Sequence, residues 1–177
     1  RNETSAFVDL NGDGIVDIVA GENWYEGPLW KKHKFRSFGF SNNYIDNFSD
    51  LPIDVDSDGA MDVVSVAWYG KRVTWFKNPG KGLGKWTEHL INSGASVEFA
   101  FLVDLNNDGE QRELLPQFAG PGSKTTWFEV KGRGADVKWV RHQVSPQSWG
   151  HGIGAGDVNG DGRNDILTPK GWLEAPS

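Results

Sequence analysis

The amino-acid sequence predicts an all-β protein, a β-propeller of four-stranded antiparallel blades, and three observations predict it. An acidic segment of nine residues occurs four times, at intervals of 45 to 53 residues, and such an interval is about the length of one blade. Short apolar stretches flank the acidic segments, as strands of a buried sheet do. Nine Trp, ten Phe and 23 Gly beside a single Met favour short aromatic strands and tight turns over a helical bundle.

Each repeat begins with two predicted strands, A and B, on either side of its acidic segment. In the first repeat they are residues 6–8 and 18–20, and in the second they are residues 51–53 and 63–66. A third strand, C, carries an aromatic pair. These pairs are Trp24-Tyr25, Trp75-Phe76, Trp127-Phe128 and, in the fourth repeat, Trp172-Leu173.

The fourth strand, D, carries a histidine three residues after a tryptophan. Three of the four histidines share this position: His33, His89 and His142. Equivalence across repeats predicts a structural role, hydrogen bonding within or between blades, in preference to metal binding or catalysis.

These strands place the blades at approximately residues 1–36, 47–91, 97–144 and 150–177, so that three blades are complete and a fourth lacks strand D. Because an open sheet edge invites pairing with another chain, propellers close into rings of typically 4–8 blades. We therefore expect the sequence to be part of a longer ring, of about seven blades, or to complete a ring by self-association.

The four acidic segments, named loops one to four, have the donor pattern of a calcium loop. Side-chain oxygens stand at positions 1, 3, 5 and 9, a carbonyl is available at position 7, and glycine at position 6 permits a sharp turn. The predicted ligands are Asp9, Asn11, Asp13, Ile15 (carbonyl) and Asp17 in loop one; Asp54, Asp56, Asp58, Ala60 (carbonyl) and Asp62 in loop two; and Asp157, Asn159, Asp161, Arg163 (carbonyl) and Asp165 in loop four.

This donor set suits calcium better than other metals. Calcium accepts six to eight oxygens at flexible angles, whereas magnesium demands a strict octahedron and transition metals favour His or Cys. An EF-hand is excluded, because it needs Glu at position 12 and flanking helices. The alternative is that some loops are Asx-rich turns without metal, which the mutual repulsion of several carboxylates in one loop disfavours.

Loop three departs from the pattern. It has Asp104, Asn106 and Asp108, but Arg112 stands at position 9 and Glu113 follows it. This predicts either a weak site that uses Glu113 or no site. The sequence thus predicts three or four calcium ions.

Charge and composition exclude several other classes of partner. The net charge of −6 and the scattered Lys and Arg disfavour nucleic acid. No run approaches the roughly 20 apolar residues of a membrane span. The absence of cysteine removes disulfides and thiol chemistry.

The DxNGDGxxD loops with flanking apolar strands, as in Asp9–Asp17 and Asp157–Asp165, resemble FG-GAP and VCBS repeats, the blades of integrin-α-type and many bacterial secreted propellers. The resemblance implies a propeller, often seven-bladed, with calcium between strands A and B. It also implies a location outside the cytoplasm, extracellular or periplasmic. The leading hypothesis is a non-catalytic, calcium-stabilised module that binds carbohydrate or protein.

A second resemblance supports an alternative. The segment Trp149-Gly-His151-Gly-Ile-Gly-Ala-Gly-Asp157, with residues 171–176 after it, is similar to the propeller part of aldos-2-ulose dehydratase-like proteins. That likeness implies part of a metal-dependent sugar dehydratase or isomerase, with His151 as the catalytic candidate.

His151 also belongs to a repeated position. Six residues before each first loop Asp the repeats have Glu3, Phe48, Glu98 and His151, so polar groups are expected to gather near the propeller axis. The competing interpretation of His151 is a residue of a turn or a strand edge.

Overall fold

The computed structural model describes residues 3–177. Arg1 and Asn2, which belong to the predicted first blade, lie outside the described residues. Within residues 3–177 the regular structure consists of β-strands and one short 3-10 turn, Gly134–Asp136. That range contains no helix long and apolar enough to cross a membrane.

The strands form four antiparallel sheets and one hairpin, in chain order. The first sheet contains β1 (Ala6–Val8), β2 (Asp17–Ala20), β3 (Asn23–Glu26) and β4 (Lys31–Lys34). The hairpin contains β5 (Phe40–Ser41) and β6 (Tyr44–Ile45). The second sheet contains β7 (Ser49–Ile53), β8 (Asp62–Ala67), β9 (Arg72–Lys77) and β10 (Thr87–Ser93).

The third sheet contains β11 (Ser96–Val103), β12 (Glu113–Ala119), β13 (Thr125–Lys131) and β14 (Lys138–Ser145). The fourth contains β15 (Gly154–Gly156), β16 (Asp165–Thr168) and β17 (Gly171–Leu173). In each sheet every strand pairs with the next along the chain. The predicted strands A to D are therefore confirmed as sheet strands, and the fourth sheet has three strands in the described residues.

The hydrophobic cores lie between successive sheets. Strand β8 is buried along its whole length, since both of its faces meet a neighbour. Val63 packs with Trp24 of the first sheet, whereas Val64 and Val66 pack with Leu114 of the third. A smaller core, which includes Leu115 and Ile166, joins the third and fourth sheets. Apolar side chains on both faces of one strand are what a sheet sandwiched between two others requires.

The first strands of neighbouring sheets lie side by side. The N–H of Asp50 donates to Oγ1 of Thr4 over 3.1 Å, and the N–H of Ala100 donates to Oγ of Ser49 over 3.2 Å. Such an arrangement of sheets is that of successive propeller blades. The closure of a ring and the number of its blades stay predictions.

The two terminal sheets expose apolar side chains. Phe7 of the first sheet is 70% exposed, and Leu167 and Trp172 of the fourth are 41% and 40% exposed. The inner sheets expose apolar side chains as well, Leu90 at 63% and Phe101 at 41%, so the need for further blades or self-association stays a prediction.

Because each sheet is an antiparallel meander, its connections alternate between two ends. We name the end that holds the acidic loops and the links from third to fourth strand the loop end. The opposite end, which holds the turns from second to third strand and the links between sheets, is named the link end. The β5–β6 hairpin, which the sequence analysis did not predict, belongs to the link between the first two sheets.

Candidate metal sites and the opposite face

The first aspartate organises each acidic loop through backbone hydrogen bonds. In loop one, Oδ1 of Asp9 accepts from the N–H groups of Gly12 and Asp13, at 2.8 and 3.2 Å, and Oδ2 accepts from Gly14 at 2.8 Å. Asp157 makes the same three contacts in loop four. The N–H groups at positions 5 and 6 bond to the first aspartate in loops two and three as well.

The backbone conformation at position 6 of each loop requires glycine. Its φ is +83° at Gly14 and lies between +86° and +90° in the other three loops. This left-handed region strains any side chain, so the predicted role of the glycine is confirmed.

Side chains at positions 1, 3 and 5 converge. In loop two, oxygens of Asp54, Asp56 and Asp58 lie within 4.8 Å of one another. Among residues 3–177, these three aspartates form the group of acidic side chains that is close enough together to hold a metal ion. In loop one the convergence is seen in hydrogen bonds, because Oδ1 of Asn11 accepts from the N–H of Asp13 over 3.0 Å and its amide nitrogen donates to Oδ2 of Asp13 over 3.0 Å. The candidate metal-ligating atoms are all oxygens, and such a set fits a hard cation such as calcium.

The acid at position 9 is a buried tether. In loop one, Oδ2 of Asp17 accepts from the N–H of Leu10 and Oδ1 accepts from the N–H of Gly27, both at 2.9 Å. Asp62 and Asp165 repeat these contacts, and all three side chains are fully buried. Each oxygen keeps a second lone pair, so the tether leaves room for the predicted ligand role, which stays a prediction.

Burial shifts the pKa of two of these acids, Asp62 and Glu113. At Asp62, burial raises the pKa to about 6, in spite of the N–H donors of Asn78 and Val55, which favour the charged form. Burial likewise raises the pKa of Glu113, and the nearby carboxylate of Asp108 adds to the effect.

Loop three is one residue longer than the others, and Glu113 takes the place of the ninth-position acid. Glu113 pairs with Val103, as Asp17 pairs with Val8, and its Oε2 accepts from the N–H of Leu105 over 2.8 Å. The register thus puts Glu113 in the structural place of the ninth-position acid, and whether loop three is a weak metal site or no site stays a prediction.

Arg112 points to the preceding loop. Its Nη2 donates to the carbonyls of Asp54 and Val55, at 3.1 and 3.2 Å. Two asparagines make related contacts: Asn78 donates to the carbonyl of Leu10, and Asn164 donates to the carbonyl of Asp104, both at 2.9 Å. Each acidic loop from one to three is therefore braced by a side chain of the next sheet.

Sequence reasoning missed a repeated position beside the loops. The second residue after the strand C tryptophan is Glu26, Lys77, Glu129 or Glu174. Oε1 of Glu129 accepts from Asn106 over 3.4 Å, and Oε1 of Glu174 accepts from Asn159 over 3.2 Å. The fixed offset from the tryptophan is the signal that could have found this position.

The second sheet differs, because its residue at this position is a lysine. The Lys77 ammonium contacts Oδ2 of Asp56 closely and lies 2.7 Å from Oδ2 of Asp58. Burial opposes the charge of Lys77, but the two carboxylates outweigh it and raise the pKa of the ammonium. Burial would also raise the pKa of Asp58, but hydrogen bonds from Lys77 and from the N–H of Ala60 hold it below its usual range.

The repeated histidines are structural. Each stacks on the strand C tryptophan of its own sheet, with centroids 4.3 Å apart for Trp24–His33, 4.4 Å for Trp75–His89 and 4.0 Å for Trp127–His142. Nε2 of His33 lies 2.7 Å from Glu26, and Nε2 of His142 lies 2.9 Å from Glu129. The prediction of hydrogen bonding within a blade is confirmed for these two, and the stacking is an addition.

At the link end, the structure brings Glu98 and His151 together. Nδ1 of His151 is in close contact with Oε2 of Glu98, and the His151 ring stacks on Trp68 with centroids 5.7 Å apart and planes 17° apart. The side chains of His151 and Glu98 are 66% and 36% exposed. Phe48 lies at the same end against Tyr69, and Glu3 is exposed. This cluster of Trp68, Glu98 and His151 is named the link-end cluster.

Comparison with known families identifies one repeat. Residues 54–111 match the family model of the FG-GAP-like repeat. The FG-GAP-like repeat runs from the first aspartate of loop two into loop three, through the last three strands of the second sheet and β11. It suggests a module of the β-propeller type, in agreement with the stacked sheets. A search of curated proteins found no match to the chain.

Proposed function

We propose that the protein is a calcium-stabilised β-propeller module that works outside the cytoplasm and presents a ligand-binding face. The observation that supports calcium best is the geometry shared by loops one and four. In each, the first aspartate accepts three backbone N–H groups and the residues at positions 3 and 5 are joined by the same hydrogen bonds. Two copies, 148 residues apart in sequence numbering, thus arrange the same oxygens in the same way.

Calcium would act by binding the folded state alone. Each loop joins the first two strands of a sheet, and loops one to three are braced by the next sheet, so an ion in one of these three loops would stabilise both a sheet and an interface. Without the ion, the carboxylates of one loop repel each other. A ligand that binds the folded state at 100 times its Kd adds about 2.7 kcal/mol to the free energy of unfolding.

Thermal unfolding in three buffers tests this proposal. We expect the highest Tm in calcium, a lower Tm in magnesium at the same ionic strength, and the lowest Tm in chelator. Equal Tm values in calcium and in chelator would contradict the proposal.

The link-end cluster is the proposed ligand-binding face, and carbohydrate is the proposed ligand class. Trp68 offers an apolar ring with a polar edge, and His151 and Glu98 offer partly exposed polar groups beside it. An aromatic surface with a few convergent polar groups is the usual composition of a small-molecule site. A protein ligand is the alternative outcome.

Glycan-array binding by the wild type and by Trp68→Ala and Glu98→Gln variants tests the ligand class. We expect both variants to lose binding while they keep the calcium-dependent Tm. The control is Glu88→Gln. It removes an exposed carboxylate of β10 that pairs with Arg72 of β9. Loss of binding in the control as well, or no glycan binding by the wild type, would contradict the assignment.

The Glu98–His151 contact is also the observation that favours the alternative function, part of a metal-dependent sugar lyase or isomerase. A carboxylate that orients an imidazole is a common acid–base arrangement. Binding of zinc by the wild type and its loss in His151→Ala would support the enzyme. Calcium binding alone, unchanged in His151→Ala, would support the non-catalytic module.

A further inference from the structure

We infer that loop two carries its own cation, the Lys77 ammonium, in the place of a calcium ion, and that the other loops lack this substitute. The inference rests on the proposed calcium function. On this inference, the ammonium of Lys77 keeps the second sheet stable when calcium is absent.

Two positions of loop two differ in charge from their counterparts in the other loops. Loops one, three and four have asparagine at position 3, and the second residue after their strand C tryptophan is Glu26, Glu129 or Glu174. Loop two alone has aspartate at position 3, Asp56, and the strand beside it carries Lys77. The neutral amide therefore accompanies a glutamate, and the additional carboxylate accompanies a lysine. The charge changes at both positions together, from neutral to negative at position 3 and from negative to positive at the partner position, as expected if the two side chains act on each other.

Asp56 is buried and therefore needs a cation nearby. Its side chain is 2% exposed, and a buried carboxylate without a cation is strongly destabilising. Lys77 supplies that cation from the same sheet, so the charge is balanced in every buffer. A diffusible ion would balance it only while calcium is present.

The Lys77 ammonium leaves one carboxylate oxygen of Asp56 without a partner. Oδ1 of Asp56 is buried and has no hydrogen-bond partner in residues 3–177, whereas Oδ2 contacts the ammonium. Asp56 belongs to the converging acidic cluster with Asp54 and Asp58. Removal of the ammonium would therefore expose a complete set of three carboxylates to a metal ion.

A cavity of about 400 Å³ adjoins these groups and gives the ammonium its surroundings. It is lined by Asp56, Asp58, Lys77, the stacked rings of Trp75 and His89, and residues 134, 135 and 137 of the link between β13 and β14. The N–H of Gly134 donates to the carbonyl of Asp56 over 2.7 Å. The loop is thus held by the third sheet as well as by Lys77.

The number of calcium ions bound per chain, measured by native mass spectrometry and by isothermal titration, tests the inference. We expect Lys77→Gln to bind one calcium ion more than the wild type. Lys85→Gln is the matched control, since Lys85 is an exposed lysine of the link between β9 and β10, and it should bind the wild-type number. Equal numbers in Lys77→Gln and the wild type overturn the inference.

A reciprocal variant keeps the test decisive if Lys77→Gln does not fold. Asn159→Asp combined with Glu174→Lys transfers the pair to loop four, and we expect it to bind one ion fewer than the wild type. An unchanged number in this variant overturns the inference. A wild type that binds no calcium overturns the proposed function instead, and the gain of one ion by Lys77→Gln then decides the inference by itself.

Discussion

Arg36 and Asp50 form an ion pair between the first two sheets, with 2.6 Å from Nη2 to Oδ1, and neither side chain is exposed. Arg36 also donates from Nε to the carbonyl of Gly21 over 2.7 Å, and Asp50 accepts from Ser65 over 2.7 Å. Phe35, Phe38 and Phe76 surround the guanidinium. The pair is thus a polar contact enclosed in an apolar interface.

Arg36→Met should destabilise the protein by about 3–5 kcal/mol, because it leaves the buried Asp50 carboxylate without its cation. Urea denaturation measures the change. The double variant Arg36→Met, Asp50→Leu should regain part of the loss, since no charge then remains. The control is Arg72→Met, which breaks a partly exposed pair with Glu88 and should cost at most about 1 kcal/mol. A double variant less stable than Arg36→Met would contradict the argument.

Asp13→Ala should lower the Tm in calcium much more than in chelator. The carboxylate of Asp13 matters to the folded state chiefly while an ion occupies loop one, and the ion's contribution follows its occupancy. Differential scanning calorimetry in both buffers measures this. Asp136→Ala, in the exposed 3-10 turn, should change neither Tm by a comparable amount. Equal losses for Asp13→Ala in both buffers would mean that its carboxylate serves the turn and not a metal.

Arg112→Ala should destabilise the protein by the same amount in calcium and in chelator. The arginine braces the carbonyls of Asp54 and Val55, and hydrogen bonds from a charged group contribute about 1.5–3 kcal/mol. Chemical denaturation in both buffers checks this. If the positive charge of Arg112 instead weakened calcium binding in loop three, the variant would bind calcium more tightly. A rise in calcium affinity without loss of stability would favour that interpretation.

Loop three should be the weakest calcium site of those without a lysine. Its closing acid is a glutamate reached one residue later, and its first aspartate accepts two backbone N–H groups where Asp9 accepts three. Calcium titration of Asp108→Ala should therefore remove the step of lowest affinity. Removal of the step of highest affinity would contradict this order.

Asp62 should make stability in chelator depend on pH. Its folded-state pKa of about 6 exceeds the usual value of about 4, so the folded state binds the proton more tightly than the unfolded state does. The resulting contribution is fully present below about pH 4 and is lost as the pH rises through about 6. Between pH 4 and pH 7.5, the stability of the wild type relative to Asp62→Asn should fall, by up to about 3 kcal/mol. A wild type whose stability relative to Asp62→Asn rises with pH would contradict this sign.

The sequence predicted the sheets and loops well because their signals are local. Asp and Gly at fixed spacing define a loop such as Asp9–Asp17, and apolar runs define the strands that flank it. The β5–β6 hairpin also has a local signal, the Asn42-Asn43 pair, because Asn favours turns with positive φ; both residues have positive φ in the structure.

The contacts that sequence reasoning missed depend on which side chains meet in space. Lys77 and Asp56 are 21 residues apart, and only the pairing of β8 with β9 brings them together. Whether Arg112 or Glu113 closes loop three depends on where the additional residue is accommodated, and no spacing rule decides that. Arg36 meets Asp50 through a link of irregular conformation, which has no periodicity to interpret.

The braces between loops all have the same direction along the chain. Asn78, Arg112 and Asn164 each donate to the carbonyl of a loop that was synthesised earlier. The chain is synthesised from its N-terminus, so the acceptor of each brace is made before its donor. A nascent chain arrested after residue 93 would hold loop one with its asparagine and leave loop two without its arginine. The most recently made loop is therefore always the loosest, and a protease that probes stalled chains of increasing length should cut first at that advancing loop.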